Sequence, residues 1–172
     1  TTITEGDDDS SDVSVSSYSG TITDAAGGPA GAASGDLGAV TVDGDAPDFS
    51  SVAATNGAYG VGETLSITVT WGEAVVVSGT PTLTLSNGDT ASYSSGTGST
   101  ALVFTTTIAE GDDESADLSV SSYSGTIADA AGGTAAAATG DLGAVTVDGD
   151  APDILAVSST DGNYIIGDSV SF

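Results

Sequence analysis

The chain has 172 residues, of which 25 are acidic and none is Lys, Arg or His, for a formal net charge of -25. Apolar residues make up 38% and aromatics 5%, enough for one or two cores. The absence of basic side chains argues against nucleic acid as a partner, because phosphate binding needs Lys and Arg to release counterions, and the absence of Cys removes disulfides and thiolate sites.

The first element is a repeat. Residues 6–48 recur almost verbatim as residues 111–153, and one offset of 105 relates Tyr18 to Tyr123, Val42 to Val147 and Pro47 to Pro152. The same offset carries Val52, Gly57, Tyr59 and Gly62 to Val157, Gly162, Tyr164 and Gly167. Three blocks follow: residues 1–44 as the C-terminal part of one repeat, 45–149 as a complete repeat, and 150–172 as the N-terminal part of the next. A period this long exceeds a solenoid unit and suits a sandwich of roughly 100 residues. The chain starts at Thr1 without a signal peptide and reads as a mature or internal stretch.

Within the complete repeat, the pattern predicts strands over 49–54 and then 65–71, where Leu65, Ile67, Val69 and Trp71 alternate with Ser66, Thr68 and Thr70, the period of a strand with one buried face. Trp71 is thereby a core residue. Further strands are expected over 74–78, around Leu83 and Leu85, and over 90–95, 101–108, 118–123 and 145–147. Turn signals separate them at Asn56-Gly57, Ser78-Gly79-Thr80-Pro81, Asn87-Gly88-Asp89 and Gly96-Thr97-Gly98. Residues 129–140, rich in Ala and Gly, read as a long crossover. Seven or eight short strands at this spacing predict an all-β fold of tandem immunoglobulin-like β-sandwiches.

The strings Asn56-Gly57-Ala58-Tyr59-Gly60-Val61-Gly62-Glu63-Thr64-Leu65-Ser66-Ile67, Trp71-Gly72-Glu73-Ala74-Val75, Gly79-Thr80-Pro81-Thr82-Leu83-Thr84-Leu85 and Asp129-Ala130-Ala131-Gly132 resemble the bacterial immunoglobulin-like or cadherin-like repeats of giant surface proteins and adhesins. That resemblance implies a cell-surface or secreted extender role, with ligand-binding heads elsewhere in the polypeptide.

Calcium is the expected cofactor, since it takes six to eight oxygen ligands from loop carboxylates and carbonyls. Three acidic groups are candidates. One is the linker set Asp43, Asp45 and Asp48, repeated as Asp148, Asp150 and Asp153, whose spacing is similar to the linkers between cadherin domains. The second is the loop Glu110, Asp112, Asp113, Glu114 and Asp117, matched by Glu5, Asp7, Asp8, Asp9 and Asp12; the third is Glu73. Counting antiparallel strands, with a reversal at each turn signal, brings all three groups to the linker that precedes Phe49. Without Lys or Arg nearby, such crowding raises carboxyl pKa values unless a cation is present. The bland reading is an acidic surface solvated by salt.

These features predict a structural extracellular repeat protein, an adhesin extender or a fibre, sheath or surface-layer component with calcium-rigidified junctions. Its partners are neighbouring repeats or identical subunits joined head to tail as a filament. The alternative is a ligand-binding module for carbohydrate or ice, built on the Thr rows at Thr68 and Thr70, Thr82 and Thr84, and residues 105–107. Catalysis is not expected, because there is no His or Cys and no base beside a Ser, and membrane insertion is not expected, because no apolar run approaches the roughly 18 residues of a span. Asn56, Asn87 and Asn163 lie outside N-glycosylation acceptor patterns, while O-linked sugars are compatible with the many Ser and Thr residues.

Overall fold

The computed structural model describes residues 2–4, 6–11, 13–17, 19–31, 34–158 and 162–170, with Asp8 described through its backbone alone. Glu5, Asp12, Tyr18 and the Asp8 side chain, all invoked above, lie outside the described residues. The described chain is all-β, with no helix, and its strands are β1 (Asp7–Ser10), β2 (Ser14–Val15), β3 (Gly35–Asp36), β4 (Val42–Gly44), β5 (Phe49–Ala54), β6 (Gly57–Gly60), β7 (Thr64–Leu85), β8 (Thr90–Ser95), β9 (Ser99–Thr107), β10 (Ser119–Ala128), β11 (Gly140–Asp141) and β12 (Val145–Asp148).

β7 organises the rest. Its first half alternates buried Leu65, Ile67, Val69 and Trp71 with more exposed Ser and Thr, so one face is dry and the other wet. This half pairs antiparallel with β5, Phe49 opposite Trp71, and with β9, Leu65 opposite Thr106. The chain then bends at Gly72, whose N–H donates to Asp48 O (2.9 Å). The second half returns beside β10, Val76 opposite Ala128 and Leu85 opposite Val120, and beside β8, Thr82 opposite Ser92. Because β8 also pairs with β9, the path closes through both halves of β7. The enclosed core is formed by Leu65, Ile67, Trp71, Val75, Leu83, Leu102, Phe104, Ile127, Leu142 and Val145, among others.

One predicted turn is not a turn. Ser78-Gly79-Thr80-Pro81 remains inside β7, where Ser78 lies opposite Thr126 and Thr82 opposite Ser124, so residues 79–81 face Gly125 alone. The surplus residues are absorbed as a bulge, which tolerates the missing N–H of Pro81. Gly125 (φ 106°) is fitted to it, since a Cβ there would meet Pro81 Cα at 2.7 Å.

The strand β12 lies parallel to β6, from Val145 opposite Gly57 to Asp148 opposite Gly60. The end of the molecule that holds Glu63, Leu85 and residues 108–117 is therefore also the end at which β12 finishes, as Gly62 N–H to Ile108 O (2.8 Å), Ser86 N–H to Ser119 O (2.9 Å) and Gly111 N–H to Gly149 O (2.9 Å) show.

The upstream copy repeats the local hydrogen bonds of its downstream counterpart. Gly6 N–H donates to Gly44 O as Gly111 does to Gly149, Asp24 N–H to Gly28 O as Asp129 to Gly133, and Leu37 N–H to Val13 O as Leu142 to Leu118. Burial differs sharply: Ile127 is 0% and Leu142 2% exposed, whereas Ile22 is 55% and Leu37 53%. Local sequence thus specifies the turns, and burial follows from whether strands like β7 and β9 cover them.

This difference predicts unequal costs for one substitution. Ile127→Ala should lower the unfolding free energy by about 2–5 kcal/mol through lost packing. Ile22→Ala should change it by less than about 0.5 kcal/mol, and urea denaturation followed by Trp71 fluorescence compares the two.

Candidate metal centre

Three carboxylates from separate parts of the chain meet where residues 43–48 run into the complete repeat. Asp43 lies in β4, Glu73 at the bend of β7, and Asp129 directly after β10; one carboxylate oxygen of each lies within 4.8 Å of the others. β4 is held by β1, with Ser10 opposite Val42, and Asp9 Oδ1 accepts from Gly44 N–H (2.9 Å). Glu73 sits at the bend because β7 must turn over the core there.

Asp129 is the most constrained of the three. Its Oδ1 accepts from Gly132 N–H (2.6 Å) and Gly133 N–H (2.9 Å), an Asx-type turn that short acidic side chains favour. The loop beyond is fastened by Tyr123, whose hydroxyl donates to Ala135 O (2.9 Å), and by Trp71 Nε1, which donates to Ala136 O (3.3 Å). Ala136 N–H in turn donates to Pro47 O (2.8 Å), tying the linker to the same loop. Asp129 is only 6% exposed, and its Oδ2 has no hydrogen-bond partner. A buried carboxylate oxygen left unsatisfied is costly. A Cβ on Gly133 would fall 2.3 Å from that oxygen and 3.2 Å from Ala46 Cα, so a glycine is what allows the linker backbone to close over it.

Electrostatics point the same way. The Glu73 carboxyl is pushed above its ordinary 4.5 by burial first, and then by the charges of Asp43, Asp129, Asp45 and Asp9. Beside it, Asp9, Asp45, Asp48 and Glu73 line a cleft of about 410 Å³ with Ala46 and Gly72. Since the chain has no Lys, Arg or His, no side chain can neutralise this group. An all-oxygen donor set with an orphaned, buried carboxylate oxygen fits a hard cation.

The expected convergence is corrected in part. Asp9, Asp43, Asp45, Asp48 and Glu73 do gather at the linker before Phe49, and Asp7 stands in β1 with its Oδ2 accepting from Thr4 N–H (2.8 Å). Asp112, Asp113, Glu114, Asp117, Asp148, Asp150 and Asp153 belong to the opposite end of the complete repeat. There Asp112 Oδ2 accepts from Ala109 N–H (2.7 Å), Asn87 Nδ2 donates to Asp113 O (3.2 Å), and Glu110 Oε2 accepts from Ala151 N–H (3.0 Å). The cause is the bulge at 79–81, which removes one assumed reversal and sends the Asn87 and Glu110 loops to the far end. Asp129 was not anticipated. Its signal was an Asp followed within four residues by Gly-Gly, a turn that Asp24 forms as well, accepting from Gly28 N–H (2.8 Å).

No known protein family, curated protein or solved structure matches this chain.

A raised carboxyl pKa sets the sign of a pH effect. The folded state holds the Glu73 proton more tightly than the unfolded state does, so its contribution to stability is present below about 4.5 and is lost as pH rises through the raised value. In chelator, stability should therefore decline over that window, and Glu73→Gln should flatten the decline in a series of urea melts.

Proposed function

We propose that this chain is a structural extracellular repeat protein, built from immunoglobulin-like sandwiches of about 105 residues, whose junctions are stiffened by calcium. The repeat boundaries are those of the 105-residue offset, with 45–149 as the complete unit. Support for the sandwich comes from the closed strand path around one core and from the parallel pairing of β6 with β12 in an otherwise antiparallel set. The observation that carries the function is the buried Asp129, whose Oδ2 has no hydrogen-bond partner, lying with Glu73 of the complete repeat and Asp43 of the residues before it.

Bound calcium would supply the countercharge that the polypeptide lacks. With Asp43 on one side and Glu73 and Asp129 on the other, the same residues that hold the ion hold the linker. The linker is thereby restrained, as an extender in a surface adhesin or fibre needs. The role is mechanical and not catalytic. Among the described residues no helix is long and apolar enough to cross a membrane, and a secreted or cell-surface location agrees with the acidic, cysteine-free composition.

A second reading, a carbohydrate- or ice-binding module, draws on a row of hydroxyls: registers align Ser124, Thr82, Ser92, Thr105 and Ser66 across neighbouring strands. Thr82 and Ser124 already bond to one another (2.9 Å), which favours a structural use of that row. Glycan-array and thermal-hysteresis measurements separate the two readings.

Calcium titration calorimetry tests the proposal directly. Asp129→Asn should weaken binding at least about tenfold, near 1.4 kcal/mol, and small-angle scattering should show the unmutated chain lengthening its distance distribution on addition of calcium. Unchanged affinity in the variant, or a distance distribution indifferent to chelator, overturns it.

A further inference from the structure

Asp129 reaches the cation site on a small turn that is closed by its own bonds. Asp129 N–H donates to Gly133 O (3.0 Å) and Ala135 N–H to Ile127 O (3.0 Å), Ala128 lies opposite Thr134, and Asp129 Oδ1 takes the N–H groups of Gly132 and Gly133. Its two neighbours in the cluster, Asp43 in β4 and Glu73 in β7, belong to other elements. The direction of Oδ2 relative to them therefore depends on what holds the turn as a whole.

A single peptide group just past the turn does much of that holding. The Tyr123 hydroxyl donates to Ala135 O (2.9 Å), and the N–H of the same peptide unit, that of Ala136, donates to Pro47 O (2.8 Å) in the linker. The next carbonyl, Ala136 O, accepts from Trp71 Nε1 (3.3 Å). A donor on the oxygen of a peptide polarises it and strengthens its N–H as a donor, so the Tyr123 hydroxyl and the linker carbonyl are joined in one chain of hydrogen bonds. Tyr123 is half-buried, opposite Leu83 and packed on the core. Burial lifts its phenol above the ordinary 10.0, which keeps the proton it donates in place at neutral pH.

We infer that Tyr123 is a positioning residue of the cation site: through the peptide between Ala135 and Ala136 its hydroxyl sets both the placement of Asp129 Oδ2 and the seating of the linker at Pro47. This rests on the calcium reading above. Because one peptide serves both ends, a cation drawn to Asp129 fixes the turn and with it the Ala136 to Pro47 bond, and a seated linker favours the cation in return, since such coupling is reciprocal. Groups that orient a metal ligand from behind change affinity by about 10–100-fold when removed.

Tyr123→Phe removes one hydroxyl and keeps the ring. Its calcium affinity by titration calorimetry should fall at least about tenfold, and the extra stability that calcium gives in urea melts should shrink with it. A merely structural hydroxyl would lower the melts in calcium and in chelator alike and leave the affinity unchanged. Tyr59→Phe is the control, because the Tyr59 hydroxyl donates to Thr55 O (2.9 Å), outside this chain of bonds, and its loss should leave calcium affinity as it was. In the unmutated chain, calcium should slow exchange of the Ala136 amide hydrogen, followed by NMR, at least about fivefold, and Tyr123→Phe should remove that slowing. Unchanged affinity in Tyr123→Phe, an equal loss in Tyr59→Phe, or Ala136 exchange indifferent to calcium overturns the positioning role and leaves calcium binding standing. An unmutated chain that binds no calcium overturns both.

Discussion

Every carboxylate in this chain must find its countercharge outside the polypeptide, because no Lys, Arg or His exists to provide it. On an open surface water and salt meet that need. At Asp129 they are hindered, since it is buried and the backbone of Gly133, with Ala46 of the linker beside it, lies close to its carboxylate. Burial and mutual repulsion then act together on Glu73, and either a proton on Glu73 or a cation beside it relieves them. The position of the linker, the conformation of the 129–139 loop and the bend of β7 all bear on that one electrostatic condition. Asp129 couples them, because its Oδ1 fixes the loop while its Oδ2 is left over.

Much of the fold was legible from alternation alone. Leu65 to Trp71 announced a half-buried strand, and the 105-residue offset announced a repeat whose local hydrogen bonds the two copies share. The reading failed at Ser78-Gly79-Thr80-Pro81, because Gly and Pro mark both reversals and bulges, and only the partner strand distinguishes them. Gly125 opposite Pro81 decides for a bulge. That single misread reversal displaced the Asn87 and Glu110 loops by the length of the repeat.

The candidate site was visible in part for a similar reason. Asp43 and Glu73 stood out as charges beside strand-like sequence, whereas Asp129 stood in an Ala- and Gly-rich stretch that reads as a featureless connection. Its importance comes from tertiary contacts, namely the bonds of Tyr123 and Trp71 to the loop and of Ala136 to Pro47. The contrast between Ile22 and Ile127 makes the same point about burial. Nearly identical sequence forms identical turns and yet opposite environments, because the covering strands are supplied by another part of the chain.

The parallel pairing of β6 and β12 also determines how the repeat answers to tension. The linker enters at one end beside Phe49, and β12 leaves at the other beside Gly149. A pull on the two ends therefore drives β6 and β12 past each other along their length. Their hydrogen bonds lie across the direction of force and are loaded together, so they must yield as a group, whereas a hairpin opened from its tip loses its bonds one at a time. In an array of such units, extension is borne first by the junctions, and each repeat resists as a shear clamp once they are taut.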